Sequence, residues 1–99
     1  MPTYELRFKK SAIKDLTKIT KSLPKSKRRL LKEQIDSLSY NPQPENSKKL
    51  KGYDSLYRVN MDNYRVVYTI EKGCIYIIEV ILVAHRGEVY KLLKQMKVT

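Results

Sequence analysis

Cysteine is almost missing from this chain: Cys74 is the only one. A single thiol excludes an internal disulfide and any cysteine-rich zinc site. Cys74 opens an apolar run, so a buried structural thiol is the simplest reading, with a catalytic cysteine working beside His85 as the alternative. Acid is the second scarcity. Ten Asp plus Glu stand against 21 Lys plus Arg, a formal net charge of +11. No acidic cluster has metal-ligand character, so neither a metal nor a cofactor is expected. Long hydrophobic runs are the third. Residues 1–8 hold no secretory core. The longest apolar run, residues 75–84, is too short to span a bilayer and contains Glu79. A soluble cytoplasmic protein without a membrane partner is expected. There is no internal repeat and no linker, and 99 residues suit one small domain, 1–99, around one core.

The positive excess points to nucleic acid, an anionic membrane surface or an acidic protein. Solubility alone is the plainer explanation, but it rarely calls for so lopsided a surface. Lysines interleave with apolar residues along most of the chain, which argues against a basic disordered tail.

The most informative stretch is Leu56-Tyr57-Arg58-Val59-Asn60-Met61-Asp62-Asn63-Tyr64-Arg65-Val66-Val67-Tyr68. Its flanks alternate in polarity and are rich in β-branched and aromatic residues, with Asp62-Asn63 as the turn pair of a β-hairpin. A two-residue loop sets Met61 opposite Tyr64, Val59 opposite Val66 and Tyr57 opposite Tyr68. These residues form one apolar face. Arg58, Asn60 and Arg65 then share the other face. Such a sheet has a core on one side and an anionic partner on the other.

Residues 3–8 alternate as a short strand. Ser11 is a candidate N-cap for a helix over about 12–21, with a start at Lys9 equally compatible. Ile13, Leu16, Ile19 and Leu23 supply its apolar face. Pro24 fits the first turn of a second helix, in which Leu30, Leu31, Gln34, Ile35 and Leu38 recur at helical spacing. The short connection predicts an antiparallel helix pair. The second helix is otherwise basic, through Lys25, Lys27, Arg28, Arg29 and Lys32. Asn41-Pro42-Gln43-Pro44-Glu45-Asn46 is loop by composition. Residues 47–52, with Lys48, Lys49 and Lys51, begin a strand or stay extended. Residues 75–83 read as a strand buried on both faces or nearly so. Val89, Leu92, Leu93 and Met96 mark a final amphipathic helix. The fold class is therefore α+β. A small antiparallel sheet packs on an N-terminal helix pair, in the order β-α-α-β-β-β-α.

Strand pairing joins Arg58 to Arg65, and the end of the long strand brings His85, Arg86 and Tyr90 towards them. Guanidiniums bind phosphate oxygens bidentately and stabilise charge that develops on phosphorus. Imidazole suits proton transfer near neutral pH, and tyrosine stacks on bases. With no metal-binding acids beside them, these groups suit cleavage of RNA, whose 2′-hydroxyl is an internal nucleophile. Each also has a plain reading. The arginines suit a solvated sheet face, His85 a strand-end histidine bonded to backbone, and Tyr90 packing on the sheet edge. Tyr57, Tyr64 and Tyr68 read as core. The lysines of the second helix read as a solvated face or as phosphate contacts.

Phe8-Lys9-Lys10-Ser11-Ala12-Ile13-Lys14-Asp15-Leu16, Asn41-Pro42 and Ser47-Lys48-Lys49-Leu50-Lys51-Gly52 resemble segments of the RelE/ParE toxin superfamily. So do Leu56-Tyr57-Arg58-Val59, Asn63-Tyr64-Arg65-Val66-Val67-Tyr68 and His85-Arg86-Gly87-Glu88-Val89-Tyr90. The match covers nearly the whole chain in order, and the His-Arg-x-x-Val-Tyr ending resembles the RelE branch. That resemblance implies a RelE-like (microbial RNase-like) fold. It also implies the toxin half of a type II toxin–antitoxin pair, which cuts messenger RNA in the ribosomal decoding site without a metal. An acidic antitoxin would cover it. By the same resemblance Arg65 stabilises the scissile phosphate and Arg86 stabilises it or assists the leaving group. Tyr90 stacks on or orients the nucleotide, and Arg58 takes the place of a hairpin lysine. Lys25, Lys27, Arg28, Arg29, Lys48, Lys49 and Lys51 would contact nucleic acid. Some members carry a lysine, proposed as general base, where this chain has Asn60. Asparagine cannot accept the proton, which leaves His85, Lys49 or Lys51 as candidates.

Overall fold

Alternation in the arginine hairpin sets the register of the sheet. A computed structural model describes residues 3–96. The elements are β1 (Glu5–Phe8), α1 (Lys10–Ser22), α2 (Lys25–Ser37), β2 (Ser47–Lys49), β3 (Tyr57–Met61), β4 (Tyr64–Lys72), β5 (Tyr76–His85) and α3 (Val89–Met96). Strands β3 and β4 pair with Met61 opposite Tyr64, Val59 opposite Val66 and Tyr57 opposite Tyr68. Asp62 takes the left-handed conformation at φ 61°, which a short polar side chain tolerates and a tight hairpin needs.

The five strands lie in the order β1-β5-β4-β3-β2. Two features differ from expectation. Residues 47–49 form an edge strand, so four strands follow the helix pair. The sheet is also mixed rather than wholly antiparallel, because β1 runs parallel to β5. The intervening helices and strands carry the chain back so that β5 enters beside β1 in the same direction.

The sheet has a core on each side rather than one core. On one side α1 and α2 bring Ala12, Leu31 and Ile35 onto Val59, Met61, Val66, Tyr68, Ile78, Val80 and Val83. On the other, α3 and the 50–56 loop bring Leu50, Leu56, Val89 and Leu93 onto Val67, Ile81, Leu82 and Ala84. A bulge in β5 makes the second core possible. Val67 pairs with Leu82 while Tyr68 pairs with Val80, so Ile81 is the extra residue. Ile81 and Leu82 both join the α3 core.

The helix starts and faces also shift. α1 begins at Lys10, with Lys9 as its N-cap, so Ser11 sits in the first turn and donates its hydroxyl to the Ile81 carbonyl at 3.3 Å. Pro24 caps α2 and does not enter it. Ala12 is buried in α1 while Ile13 is exposed, and Leu30 of α2 is exposed as well. α3 matches its expected span and apolar face. Cys74 is exposed at the β4–β5 turn, contrary to the buried thiol expected, and Ile75 beside it is exposed too. Neither residue joins a core.

β1 ends at Phe8, opposite Val80, which leaves the last residues of β5 without a strand on that side. α1 covers them. The Asp15 carboxylate accepts the Val83 backbone N–H at 3.1 Å. Side chains of a helix thus satisfy an edge that would otherwise template pairing with another chain. Among the described residues no helix is long and apolar enough to cross a membrane.

Candidate active site

Residues directly opposite in a sheet share a face, so the register assigns each candidate to a side. Arg58 lies opposite Val67, and Asn60 opposite Arg65. Val67 belongs to the α3 core. The hairpin arginines therefore occupy the α3 side of the sheet, as expected from the alternation. An Arg58 Nη1–H donates to Asn60 Oδ1, which binds the two side chains into one polar row. Arg65 Nη1 donates to the Tyr64 carbonyl at 3.1 Å, bending its guanidinium back over the hairpin.

Arg86 arrives through the turn after β5. Its backbone N–H donates to the Asn63 carbonyl at 2.9 Å, which ties this turn to the hairpin turn. Arg65 has its pKa lowered, first by partial burial and then by the charges of Arg58 and Arg86. The charges of Arg58 and Arg86 thus both bear on Arg65, and an anionic group bound there would offset them. Tyr90, on the first turn of α3, is exposed, and its ring lies 6.3 Å from that of Tyr53. Tyr53 went unnoticed in the sequence. It belongs to the 50–56 loop, where Gly52 at φ 87° permits the turn that carries it to α3. A tyrosine directly after Lys-Gly was the available signal.

His85 does not join this group. It lies opposite Tyr64, on the helix-pair side, and meets that ring edge-on with centroids 6.0 Å apart. Its plain reading is the observed one: a strand-end histidine, with Nδ1 3.4 Å from the Gly87 backbone nitrogen as acceptor.

The basic residues also divide. Lys48 lies opposite Arg58 and so joins the arginine side. Lys49 lies opposite Tyr57 on the helix-pair side. Lys51 is exposed in the loop after β2. Lys25, Lys27, Arg28 and Arg29 are exposed on α2, behind the sheet as seen from the arginines. Lys27 is paired with Asp62 at the hairpin turn. Of the tyrosines read as core, Tyr68 is fully buried and donates its hydroxyl to the Pro42 carbonyl at 2.6 Å, and half-buried Tyr57 packs against the same core, while half-buried Tyr64 joins neither core. No group of His, Cys, Asp and Glu suited to a metal occurs among the described residues.

Residues 6–90 match the model of the ParE toxin family of type II toxin–antitoxin systems, parDE. The chain belongs to this toxin family. Several of its relatives carry RelE names. The RelE1 candidate toxin of Methanocaldococcus jannaschii is 37% identical over 70 residues, 68% of this chain and 73% of that protein. The archaeal RelE–RelB complex from Pyrococcus horikoshii OT3 contains a chain that is 32% identical at a TM-score of 0.67, covering 86% of this chain and 97% of that one. A free double mutant of the E. coli toxin RelE is 27% identical at a TM-score of 0.68, covering 97% and 99%. This chain is thus a RelE-like toxin of a type II toxin–antitoxin system, with the α+β fold of those structures.

Proposed function

We propose that this RelE-like toxin is a ribosome-dependent endoribonuclease that cuts messenger RNA in the decoding site and so stops translation. The observation that carries the reading is Arg58 and Arg65 on one sheet face, with Arg86 tied by its backbone to the hairpin turn and the Arg65 pKa lowered first by burial and then by the charges of Arg58 and Arg86. The reaction is an in-line displacement needing no metal. The 2′-oxygen of the preceding nucleotide attacks the phosphorus, the bond to the 5′-oxygen breaks, and a 2′,3′-cyclic phosphate and a 5′-hydroxyl result. Arg65 and Arg86 stabilise the charge gathering on the non-bridging oxygens and the leaving oxygen. Arg58 binds the neighbouring phosphate. Tyr90 stacks on the nucleotide, with Tyr53 behind it.

Lys48 and Lys51 lie on or beside the arginine face and Lys25, Arg28 and Arg29 behind it, so two sides of the protein can touch ribosomal RNA at once. Phosphate contacts of this kind make binding fall steeply with salt. Lys27 and Lys49 would add to the rear surface. The site of action is the cytoplasm, where ribosomes translate. The relative from Pyrococcus is described as a RelE–RelB complex. An acidic, partly disordered antitoxin is accordingly the partner here, covering the cationic face and blocking or displacing α3.

The test is a reconstituted translation system in which messenger RNA 5′ ends are mapped. Cuts confined to translated messages support the reading. Intact messages with translation still running overturn it. The family model carries the ParE name, so a DNA gyrase inhibitor is the second reading. It would block supercoiling by purified gyrase and leave every message whole.

A further inference from the structure

The cationic face holds good phosphate ligands but no evident acceptor for the proton of the attacking hydroxyl. Guanidiniums stay protonated, and an amide cannot take a proton. The imidazole of His85 lies on the other side of the sheet. Two rows cross the face. One is Lys48, Arg58, Val67 and Leu82, by paired register. The other is Asn60, Arg65 and Ala84, extended by Asn46, whose Nδ2 donates to the Asn60 carbonyl at 2.7 Å and whose carbonyl accepts the Asn60 N–H. Neither row contains a carboxylate or an imidazole. Their one side chain able to gain and lose a proton is Lys48.

We infer that Lys48, on edge strand β2, accepts the 2′-hydroxyl proton, which rests on the endoribonuclease reading above. Lys48 is opposite Arg58 and diagonal to Asn60. Diagonal partners lie about 7–8 Å apart, within reach of a long side chain. A lysine has four methylenes and three rotatable donors on a compact head, so its amine can enter the space above the Arg58–Asn60 pair from the sheet edge. Lys48 is exposed and makes no ion pair among the described residues, so nothing holds it away. In the step, the neutral amine takes the proton as the 2′-oxygen bonds to phosphorus. The departing 5′-oxygen takes its proton from water, and the ammonium later returns its own to solvent. The location of the acceptor on a separate strand from the arginines means that the β2–β3 pairing is part of the active site.

Single-turnover cleavage on programmed ribosomes tests this, measured from pH 6 to pH 9 with wild type, Lys48→Ala, Lys48→Arg and Lys48→Ala/Asn60→Lys. General-base loss lowers rates about 10²–10⁴-fold. A loss of that size is expected for Lys48→Ala and also for Lys48→Arg, which keeps the charge and phosphate binding but cannot deprotonate. The wild-type rate should climb with pH, and both variants should flatten that climb while still sedimenting with ribosomes. The double variant returns an amine to the diagonal position and should recover part of the rate. If wild type cuts and Lys48→Arg cuts equally fast with the same pH dependence, Lys48 is not the acceptor and the endoribonuclease reading stands. If wild type cuts nothing, both fall together.

Discussion

The two faces of the sheet are built from the same strands and present different surfaces. On the helix-pair side, Val59, Met61, Val66 and Tyr68 are buried beneath α1 and α2, and the cations there lie outside the helices. On the α3 side, the apolar cover stops at Val67, Leu82 and Ala84, and Lys48, Arg58, Asn60 and Arg65 occupy the ground beyond it. Away from the Ile81 bulge, a residue's side is set by strand parity. Moving a group by one position in sequence therefore moves it from one face to the other, as Lys48 and Lys49 illustrate.

The sharpest contrast is between Arg65 and Ile78. Arg65→Ala removes a guanidinium from the reacting phosphate and should slow cleavage about 10²–10³-fold or more, in the range seen when one transition-state donor is lost. Its melting temperature should hardly move. Ile78→Ala opens a cavity in a fully buried position and should cost about 2–5 kcal/mol, read by denaturant titration. Whatever fraction stays folded should cleave normally. If instead Arg65→Ala unfolds the protein, the division between the faces fails.

A smaller effect is expected at the sheet edge. Asp15→Ala leaves the Val83 N–H without its acceptor and should cost about 1 kcal/mol, the low end for a partly exposed group. The Asp15 carboxyl is raised above its ordinary 3.8, first by burial, while the Val83 N–H and Lys18 act to lower it. The folded state therefore holds this proton more tightly than the unfolded chain. The ionised carboxylate costs stability above the raised pKa, and that cost disappears as the pH falls through it towards 3.8. Relative to Asp15→Asn, the wild type should gain stability on acidification. Denaturant titrations at pH 7 and pH 4.5 that show the opposite order would contradict the assignment.

The smallest effects should come from two polar groups on the helix-pair side. His85→Gln is expected to leave the cleavage rate within a few-fold of wild type. A 10²-fold loss would mean that the imidazole reaches the arginine face after all. Lys27→Ala removes an exposed ion pair with Asp62 and should change stability by about 0–1 kcal/mol, measured by thermal melting.

Much of this arrangement was legible before the structure. Alternation between Tyr57 and Tyr68 is regular, so parity told the arginines from the core and the hairpin register followed. The apolar run up to Val83, broken only at Glu79, carries little such information, since nearly every position looks buried. Neither the Ile81 bulge nor the side taken by His85 could be read from it. Lys48 and Lys49 are chemically alike, and only pairing with β3 tells which of them faces the arginines. The parallel contact of β1 and β5 joins segments far apart in the chain, with no local signature. Cys74 was misread because an apolar neighbourhood in sequence is not a buried one in space.

The central claim is that the α3-side arginines perform chemistry. Its most direct test is the single-turnover rate of messenger RNA cleavage on programmed ribosomes for Arg65→Ala beside the melting curve of the same preparation. The account predicts a wild-type melting curve and a cleavage rate lower by at least about 10²-fold. A variant that melts as wild type does and still cuts translated messages at the wild-type rate would contradict it.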